Sequence, residues 1–241
     1  MSKTHTATVQ KQFTSTADAF SKQAVRDGSE VVAEKVEFAR PQAGDCALDV
    51  ACGPGTLVLA LAARVRIARG IDLTEAMLRQ ARAFQAELGI ANAAFDQGEA
   101  EQLPYADAAF DLVTCQFSFH HLPKPELVLN EMMRVLKPGG RAMIIDMLAP
   151  ESDPKFDLHN RIERARDPSH TASLRWTAFR AMFEEQGLKI VDEKIRRRQR
   201  SFNHWMLRAG LEPGAKGYLE TRKLMEDSIP GDSGAFRAVA R

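Results

Sequence analysis

The chain has 241 residues, which suits one large α/β domain that can bury a sizeable core without disulfides or metals. Its 33 basic and 32 acidic residues nearly cancel, so the overall charge gives no reason to expect a nucleic acid or a membrane surface as partner. The opening stretch MSKTHTATVQKQF lacks the apolar core of a signal peptide, and no apolar run is long enough to span a bilayer. We therefore expect a cytoplasmic protein without a membrane span.

The three cysteines, Cys46, Cys52 and Cys115, form no CxxC pair and lie in apolar runs. This spacing predicts neither a zinc site nor a disulfide framework. We expect all three to be small buried hydrophobic residues of a protein kept in a reducing compartment.

Two helices are predicted first, over residues 8–22 and 28–40, and the turn sequence PQAGD then separates them from the rest of the chain. From there short apolar strands alternate with helices, an order typical of βαβ units in a parallel sheet. Strands are predicted at residues 46–51, 66–71, 93–96, 110–116 and 141–147. Helices are predicted between them at residues 56–66, 75–88 and 124–136, with Thr74 as N-cap of the second and Gly89 at its end.

Beyond Pro150 the alternation becomes less regular. Helices are predicted at residues 155–166, 173–186, 202–209 and 215–227, and strands near residues 189–196 and 235–240. The fold class expected is a Rossmann-like, doubly wound α/β fold with a mostly parallel sheet of seven strands, the last of them antiparallel. We expect a single domain in which residues 1–40 form a helical cover, residues 41–147 the binding core, and residues 148–241 more helical cover with the closing strands.

The stretch LDVACGPGTL, residues 48–57, interrupts apolar residues with two glycines immediately after the first predicted strand. In an open parallel sheet, ligands bind outside the carboxyl ends of the strands at the point where the strand order reverses. Gly53 and Gly55 permit a tight turn and a close approach of a ligand to the backbone, and the start of the next helix offers free N–H groups. The same pattern also occurs in a plain tight turn between a strand and a helix.

Two acidic positions follow the next two strands. Asp72 ends the second strand, where a carboxylate can accept hydrogen bonds from a ribose diol, although it could equally cap the next helix. Glu99 and Ala100 follow the third strand, where they could recognise an adenine ring or simply belong to a solvated loop. The third position of a GxGxxG motif is Val58 here, which argues against a NAD-type oxidoreductase, and no P-loop motif GxxxxGK[ST] occurs.

Five motifs, LDVACGPG, GIDLTEAML, GEAEQLPY, FDLVTCQFSFHHL and VLKPGG, resemble in order and spacing those of class I S-adenosylmethionine-dependent methyltransferases. Within that family the sequence is most similar to the ubiquinone/menaquinone-biosynthesis-like group, which methylates small molecules. The resemblance covers about residues 41–147 and is thin after Pro150. It implies S-adenosylmethionine as the cofactor and S-adenosylhomocysteine as its product.

The resemblance also implies a role for each matching position. The implied cofactor contacts are Asp49, Ala51, Gly53, Gly55, Asp72, Leu73, Glu99, Ala100 and Gln116. Asp72 would hold the ribose hydroxyls, Glu99 with Ala100 would recognise adenine, and the loop after the first strand would surround the methionine and ribose parts. Gln116 would contact the methionine part through its backbone. Ala51 stands where many members have glycine, and Phe20 stands where relatives often carry a tyrosine.

Methyl transfer from a sulfonium is an in-line displacement with a good leaving group, so positioning and exclusion of water supply much of the catalysis. If a base is used, His120 and His121 are the candidates, since both follow the fourth strand and histidine titrates near neutral pH. Either ring could instead hold the loop through hydrogen bonds to backbone. Neither has metal-ligand spacing to another histidine, cysteine or carboxylate, so no metal is expected.

The candidate substrate contacts are Phe20, Phe119, His170 and Trp176. They suit a small aromatic or quinone-like metabolite that is methylated on oxygen, nitrogen or carbon. The basic stretch IRRRQRSFNHW interleaves arginines with aromatic residues as RNA-binding segments do, but arginines on a strand more often form a solvated edge. We therefore expect a small-molecule methyl acceptor, no nucleic acid, and a monomer or homodimer.

Two alternative functions stay open at this point. A catalytically silent S-adenosylmethionine-binding partner subunit would keep the same cofactor residues, and only a turnover assay would tell it from an enzyme. A NAD-type Rossmann oxidoreductase would use the same glycine turn despite Val58. Binding of S-adenosylhomocysteine rather than NAD(H) would exclude it.

Overall fold

The structure, a computed structural model, describes residues 3–26, 28–197 and 200–228, without the side chains of Lys3 and residues 19–29. Its helices are α1 Lys3–Arg26, α2 Gly28–Ala39, α3 Thr56–Ala62, α4 Glu75–Leu88, α5 Pro125–Val135, α6 Asp153–Arg166, α7 Trp176–Glu185, α8 Phe202–Arg208 and α9 Lys216–Asp227. Its strands are β1 Cys46–Val50, β2 Ile67–Asp72, β3 Ala93–Gln97, β4 Phe110–Gln116, β5 Leu136–Ile145, β6 Leu148–Ala149 and β7 Leu174–Arg175. A short 3₁₀ helix covers Phe119–His121.

The described residues group into two compact units. Unit 1 comprises Met1–Phe119 with Lys124–Ile145, and unit 2 comprises His120–Pro123 with Asp146–Arg241, each within the described ranges. The proposed division into two helical covers and a binding core within one domain stays a prediction.

Unit 1 contains a parallel sheet of five strands in the order β3-β2-β1-β4-β5. The strand order reverses beside β1, which pairs with β2 on one side and β4 on the other. This confirms the predicted doubly wound, mostly parallel α/β fold. The register places Asp49 of β1 opposite Gly70 of β2 and Thr114 of β4, so a carboxylate lies in the middle of the sheet near its carboxyl end.

The core of unit 1 forms because the central strands are apolar on both faces. Leu48 and Val50 of β1 and Leu112 of β4 are fully buried, and α3 packs Leu57 and Leu61 against the sheet. The predicted ends of α4 are confirmed: Thr74 is its N-cap residue, and Gly89 ends it in a left-handed conformation with φ 65°.

The fifth strand differs from its prediction. It was expected at residues 141–147, after a KPGG stop, but β5 begins at Leu136 and ends at Ile145. The pairing with β4 shifts in register between Phe110 and Leu112, so the KPGG residues form an irregularity inside the strand. Lys137 Nζ lies 2.8 Å from Asp111 Oδ1 of β4, and this contact holds the irregular part against its neighbour.

The predicted strand at residues 189–196 is wrong, because residues 188–197 contain no strand. A strand needs a hydrogen-bonded neighbour, and the apolar side chains of Val191 and Ile195 are instead 74% and 65% exposed. The predicted closing strand at residues 235–240 lies outside the described residues. The described residues therefore show a sheet of five parallel strands and a separate two-stranded parallel pair, β6 with β7, so the seven strands expected in one sheet are not found there, and only the antiparallel last strand stays a prediction.

Unit 2 is mostly helical in its described part. Helices α6, α8 and α9 bury Ile162, Trp205, Met206 and Tyr218 in one apolar cluster, and the guanidinium of Arg166 lies 4.8 Å from the centre of the Trp205 ring. None of the helices in the described ranges combines the length and the apolar character needed to cross a membrane.

The cysteines follow the prediction at two positions out of three. Cys52 and Cys115 are buried and none of the three cysteines forms a disulfide, but Cys46 at the start of β1 is only partly buried, with Arg66 Nη2 2.7 Å from its sulfur. Cys52 is tightly packed, because a Cβ atom on the neighbouring Gly70 would lie 2.7 Å from its sulfur. Burial, with the nearby charges of Asp72 and Asp49, raises the pKa of the Cys52 thiol.

Candidate cofactor site and a buried histidine cluster

The chain turns sharply between β1 and α3. Ala51, Gly53 and Gly55 all have left-handed backbone angles, with φ of 55°, 54° and 74°. The Gly55 N–H donates to the carbonyl of Cys52 at 3.0 Å, and the Cys52 N–H donates to the carbonyl of Ile71 at 3.0 Å. The turn is thus hydrogen-bonded both to itself and to the end of β2.

The two glycines of this turn serve different purposes. A Cβ atom on Gly53 would have no atom within 4 Å, so its surroundings are open. A Cβ atom on Gly55 would lie 2.6 Å from the Phe95 ring and 2.8 Å from Cβ of Ala81. The sequence interpretation treated both glycines as room for a ligand. The structure gives that room at Gly53, whereas the absence of a side chain at Gly55 lets α4 and β3 pack closely.

Asp72 ties the turn to the start of α4. Its Oδ2 accepts a hydrogen bond from the Gly53 N–H at 2.8 Å, and its Oδ1 accepts one from the Thr74 N–H at 2.8 Å. Burial raises the pKa of Asp72, and the two backbone donors counteract part of that effect. A carboxylate oxygen has more than one lone pair, so both oxygens can accept a further hydrogen bond from a ligand hydroxyl.

The residues that follow β2 and β3 are joined by hydrogen bonds. The Gly98 N–H donates to the carbonyl of Asp72 at 3.0 Å, which brings the loop carrying Glu99 and Ala100 to the end of β2. Glu99 is exposed and Ala100 is partly buried. The carbonyl of Leu73 accepts hydrogen bonds from Gln97 at 3.2 Å and from Gln10 of α1 at 3.4 Å. The predicted cofactor contacts after β1, β2 and β3 therefore lie at one edge of the sheet.

Asp49 is the buried carboxyl group of this region. The residue is 1% exposed; its Oδ1 accepts a hydrogen bond from the Thr114 hydroxyl at 2.6 Å, while its Oδ2 is buried and has no hydrogen-bond partner among the described residues. Burial raises the pKa of Asp49 to about 7, although the Thr114 hydrogen bond and the charge of Lys35 act in the opposite direction. A buried acceptor without a donor, two residues before the turn, fits a polar ligand with N–H groups.

Lys35 was missed by the sequence analysis. Its Nζ donates to Oε1 of Gln116 at 2.7 Å and lies 5.2 Å from the centre of the Phe117 ring. Phe117 directly follows β4 and is itself left-handed, with φ 51°. Nothing in the spacing of α2 distinguishes this lysine, since the contact joins residues 81 positions apart. Gln116, predicted to act through its backbone, thus also uses its side chain to hold a cation at the end of β4.

Unit 2 contains a cluster of buried histidines. The ring centres of His120 and His121 are 4.1 Å apart, and those of His120 and His170 are 5.5 Å apart. All three residues are 4–7% exposed. His120 Nδ1 lies 2.5 Å from Oδ1 of Asp146, and its backbone N–H donates to Oδ2 of Asp146 at 3.2 Å. Asp146 directly follows β5 in the chain and was also missed by the sequence analysis.

The pKa values of the three histidines differ in direction: that of His120 is raised and those of the other two are lowered. Burial acts to lower the pKa of His120, but the charge and hydrogen bond of Asp146 outweigh it, and the pKa lies above its ordinary value. Burial and the neighbouring charge of His120 lower the pKa of His121 to about 3 and that of His170 to about 2. His120 is therefore the ring of this cluster whose protonated form is favoured.

The other two rings are held by hydrogen bonds within unit 2. His121 Nδ1 lies 3.1 Å from the backbone carbonyl oxygen of Ser169 and 3.1 Å from its hydroxyl, which donates to Asp167 at 2.6 Å. His170 Nε2 lies 2.9 Å from the side-chain oxygen of Asn160. These contacts agree with the structural alternative that the sequence left open for His121, and they occupy one nitrogen of His170.

The remaining substrate candidates belong to different parts of the chain. Phe119 is 1% exposed and belongs to unit 1. Trp176 begins α7 in unit 2, where it is partly buried and has Arg180 5.9 Å from its ring centre. Phe20 lies in α1, and its side chain falls outside the described residues. Their roles in substrate binding stay predictions.

Comparison with known proteins places the chain among methyltransferases. Residues 41–187 match the family described as a methyltransferase domain. The methyltransferase YcgJ of Bacillus subtilis is 31% identical over 198 residues, which are 82% of this chain and 78% of that protein. The crystal structure of the BH2331 protein of Bacillus halodurans C-125 superposes with a TM-score of 0.80 at 31% identity, over 89% of this chain and 91% of that one.

A demethylmenaquinone methyltransferase of Lactobacillus johnsonii is 32% identical over 176 residues, which are 62% of this chain and 70% of that protein. The family match covers more than half of the chain, including the parallel sheet and the turn after β1. The chain therefore belongs to the methyltransferase-domain family and is an S-adenosylmethionine-dependent methyltransferase.

Proposed function

We propose that this enzyme methylates an oxygen, nitrogen or carbon atom of a small aromatic or quinone-like metabolite, with His120 as the group that takes up the acceptor's proton. The observation that supports this proposal is the contact between His120 Nδ1 and Asp146 Oδ1. The likeness to a demethylmenaquinone methyltransferase supports the aromatic or quinone-like class of acceptor.

The residues of unit 1 fit the cofactor by their chemistry. Asp49 offers a buried oxygen without a donor, Gly53 offers open space, and Asp72 has lone pairs for ribose hydroxyls. Glu99 with Ala100 would recognise adenine, and the remaining contacts would come from Ala51, Gly55, Leu73 and Gln116. When bound there, S-adenosylmethionine supplies an electrophilic methyl group. The protein's part is to hold the acceptor in line, exclude water and accept a proton.

His120 is suited to accept that proton. A carboxylate only accepts hydrogen bonds, so Nδ1 carries the hydrogen in the contact with Asp146, and Nε2 is the accepting nitrogen of the neutral ring. The same carboxylate stabilises the charged ring that forms when Nε2 takes up a proton. Because only the neutral ring is a base, turnover should rise with pH through a value above the ordinary histidine pKa.

The direct test is a turnover assay with a panel of acceptors. A phenol, a hydroquinone and an aromatic amine would each be incubated with S-adenosylmethionine, and formation of S-adenosylhomocysteine would be measured. We expect turnover with a hydroxyl-bearing or carbon-acid acceptor, since these become good nucleophiles only when a base removes their proton. The variant His120→Gln should then lower kcat about 10²–10⁴-fold and leave the affinity for S-adenosylhomocysteine nearly unchanged.

The matched control is His204→Gln in α8, where the side chain is exposed. We expect no change in kcat for that variant. Equal kcat values for the wild type and His120→Gln would exclude His120 as the base. Turnover of none of the acceptors, in a protein that binds S-adenosylhomocysteine, would count against the aromatic or quinone-like class.

A further inference from the structure

Asp49 has an incomplete set of hydrogen-bond partners for a buried carboxylate. Thr114 donates to Oδ1, whereas Oδ2 is fully buried and receives no hydrogen bond from the described residues. An ionised carboxylate normally accepts several hydrogen bonds, and a buried one that lacks them is unfavourable. The group can lower this cost by taking up a proton or by meeting a cationic donor.

The charged and titratable groups around Asp49 come from three elements. Lys35 of α2 favours its ionised form, and Asp72 of β2 disfavours it. The Cys52 thiol of the turn is protonated, because burial and these two carboxyl groups raise its pKa. Lys35 Nζ also donates to Gln116, so part of its hydrogen-bonding capacity is used at the end of β4.

Burial dominates the balance of these effects. It raises the pKa of Asp49 to about 7, so near neutral pH about half of the ligand-free molecules hold a proton there. A ligand that brings a positive charge and N–H donors to Oδ2 would favour the ionised form. The α-ammonium group of S-adenosylmethionine and of S-adenosylhomocysteine has both properties.

We propose that Asp49 releases a proton when the amino-acid end of the cofactor enters the site, so that cofactor affinity increases as the pH rises. The O–H bond of the carboxyl group breaks, the proton passes to the buffer, and the ligand's α-ammonium group donates to the carboxylate. This inference rests on the cofactor placement given under the proposed function. If Asp49 instead stayed protonated and donated its own hydrogen to the ligand, binding would release no proton.

Isothermal titration calorimetry tests the inference with two ligands. S-adenosylhomocysteine carries the amino-acid end without a reactive methyl group, and methylthioadenosine lacks the amino-acid end. Titrations at pH 7 in phosphate and in Tris give the number of protons released, because the two buffers differ in ionisation enthalpy. We expect S-adenosylhomocysteine to release about half a proton and methylthioadenosine none. Below pH 7 the affinity for S-adenosylhomocysteine should fall, approaching tenfold per pH unit.

Two variants identify the group that titrates. Asp49→Asn should abolish proton release and make the affinity independent of pH over this range. Lys35→Met should move the proton release to higher pH, because loss of a nearby positive charge raises the pKa of Asp49 further. The second variant decides the matter if thermal denaturation shows that Asp49→Asn does not fold.

The outcomes separate this inference from the cofactor placement. Tight binding of S-adenosylhomocysteine with no dependence on buffer would overturn the inference and leave the placement intact. Equal proton release with methylthioadenosine, or unchanged release in Asp49→Asn, would also overturn it. Failure of the wild-type protein to bind S-adenosylhomocysteine would refute the placement and the inference together.

Discussion

In two regions of this enzyme, burial shifts the pKa values of titratable side chains in opposite directions. In unit 1, burial favours the neutral, protonated form of Asp49, whose pKa rises to about 7. In unit 2, burial favours the neutral, unprotonated forms of His121 and His170, whose pKa values fall to about 3 and about 2. The comparison teaches that burial selects the neutral form in each case, so an acid gains a proton where a histidine loses one.

The regions also differ in how completely a buried carboxyl group is partnered. Asp146 lies within hydrogen-bond distance of His120 Nδ1, the His120 N–H and the Met147 N–H, the last at 2.6 Å. Asp49 has Thr114 alone among the described residues. A fully partnered carboxylate positions another side chain, whereas one with a free oxygen is suited to a ligand. The predictions that follow test this difference, beginning with the largest expected effect.

Replacing Asp146 with asparagine tests whether it is a positioning residue for His120. We expect kcat to fall about 10²–10³-fold, because an amide neither holds Nδ1–H in the same way nor stabilises the charged ring. The pH at which turnover rises should also decrease, since the carboxylate that raises the pKa of His120 is lost. Steady-state kinetics from pH 5 to 9 measure both effects. The control Asp157→Asn, at an exposed position in α6, should change neither, and a lower kcat with an unshifted pH profile would contradict the positioning role.

Alanine substitutions at the two glycines of the turn test their different surroundings. Gly55→Ala should destabilise unit 1 by about 2–5 kcal/mol, through the left-handed backbone and the clash with Phe95 and Ala81. Gly53→Ala should cost only about 1–2 kcal/mol, since it strains the backbone but meets open space. It should instead weaken binding of S-adenosylhomocysteine. Urea unfolding measures the stabilities, and equal losses for both variants would contradict the assignment of Gly55 to packing.

Acidification from pH 6 to pH 5 should change the two regions in opposite directions. Unfolded histidine takes up protons below about pH 6.5, whereas folded His121 and His170 do not, so each should lower the stability of unit 2 by roughly 1 kcal/mol over this pH unit. His120 adds no slope in this window, because its raised pKa affects stability only above the unfolded value. Folded Asp49 is mostly protonated in this range and unfolded aspartate is not, so it should raise the stability of unit 1 by roughly 1 kcal/mol.

Hydrogen exchange read separately on peptides of each unit measures this pH effect. The variant His121→Gln should reduce the slope of unit 2, where His170 still contributes, and Asp49→Asn should reduce that of unit 1. If acidification lowered the stability of both units by the same amount, the opposite signs assigned to Asp49 and the histidines would be wrong.

The smallest expected effect concerns Ala51, which holds a left-handed φ of 55° without being glycine. Ala51→Gly should raise the stability of unit 1 by less than about 1 kcal/mol. Glycine removes the backbone strain of the folded state, but it also increases the conformational entropy of the unfolded chain, and the two effects nearly cancel. The contrasting change Ala60→Gly, in the middle of α3, should lower it by about 1 kcal/mol. Thermal denaturation of both variants measures the difference, and a loss of stability in Ala51→Gly would mean that this residue is not strained.

Short sequence patterns predicted those features that depend only on residues adjacent in the chain. The alternation of strands and helices, the N-cap Thr74, the left-handed Gly89 and the open Gly53 all follow from short stretches of sequence. The purpose of Gly55 did not, since it depends on Phe95 and Ala81 from two other elements. In the same way Lys35 with Gln116 and His120 with Asp146 join residues far apart in the chain.

The error at residues 189–196 has a similar cause. Their composition suits a strand, but a strand forms only beside a hydrogen-bonding neighbour, and composition does not specify that neighbour. For the proposed site, sequence could name acids and glycines that lie at one edge of the sheet, because the carboxyl ends of parallel strands meet there. It could not tell which carboxyl group lacks a donor, because that depends on the packing of β1 against β4.

Because the three thiols are buried to different extents, alkylating reagents should react selectively with Cys46 in the folded enzyme. Maleimides react with the thiolate, which Cys52 does not form near neutral pH, and Cys115 is shielded within β4. Cys46 is partly exposed at the amino end of β1, the end of that strand opposite to Asp49. A fluorophore attached there would label the folded enzyme once and away from the proposed cofactor site. Labelling of the two buried thiols would then report the opening of the fold, without any cysteine having to be introduced or removed.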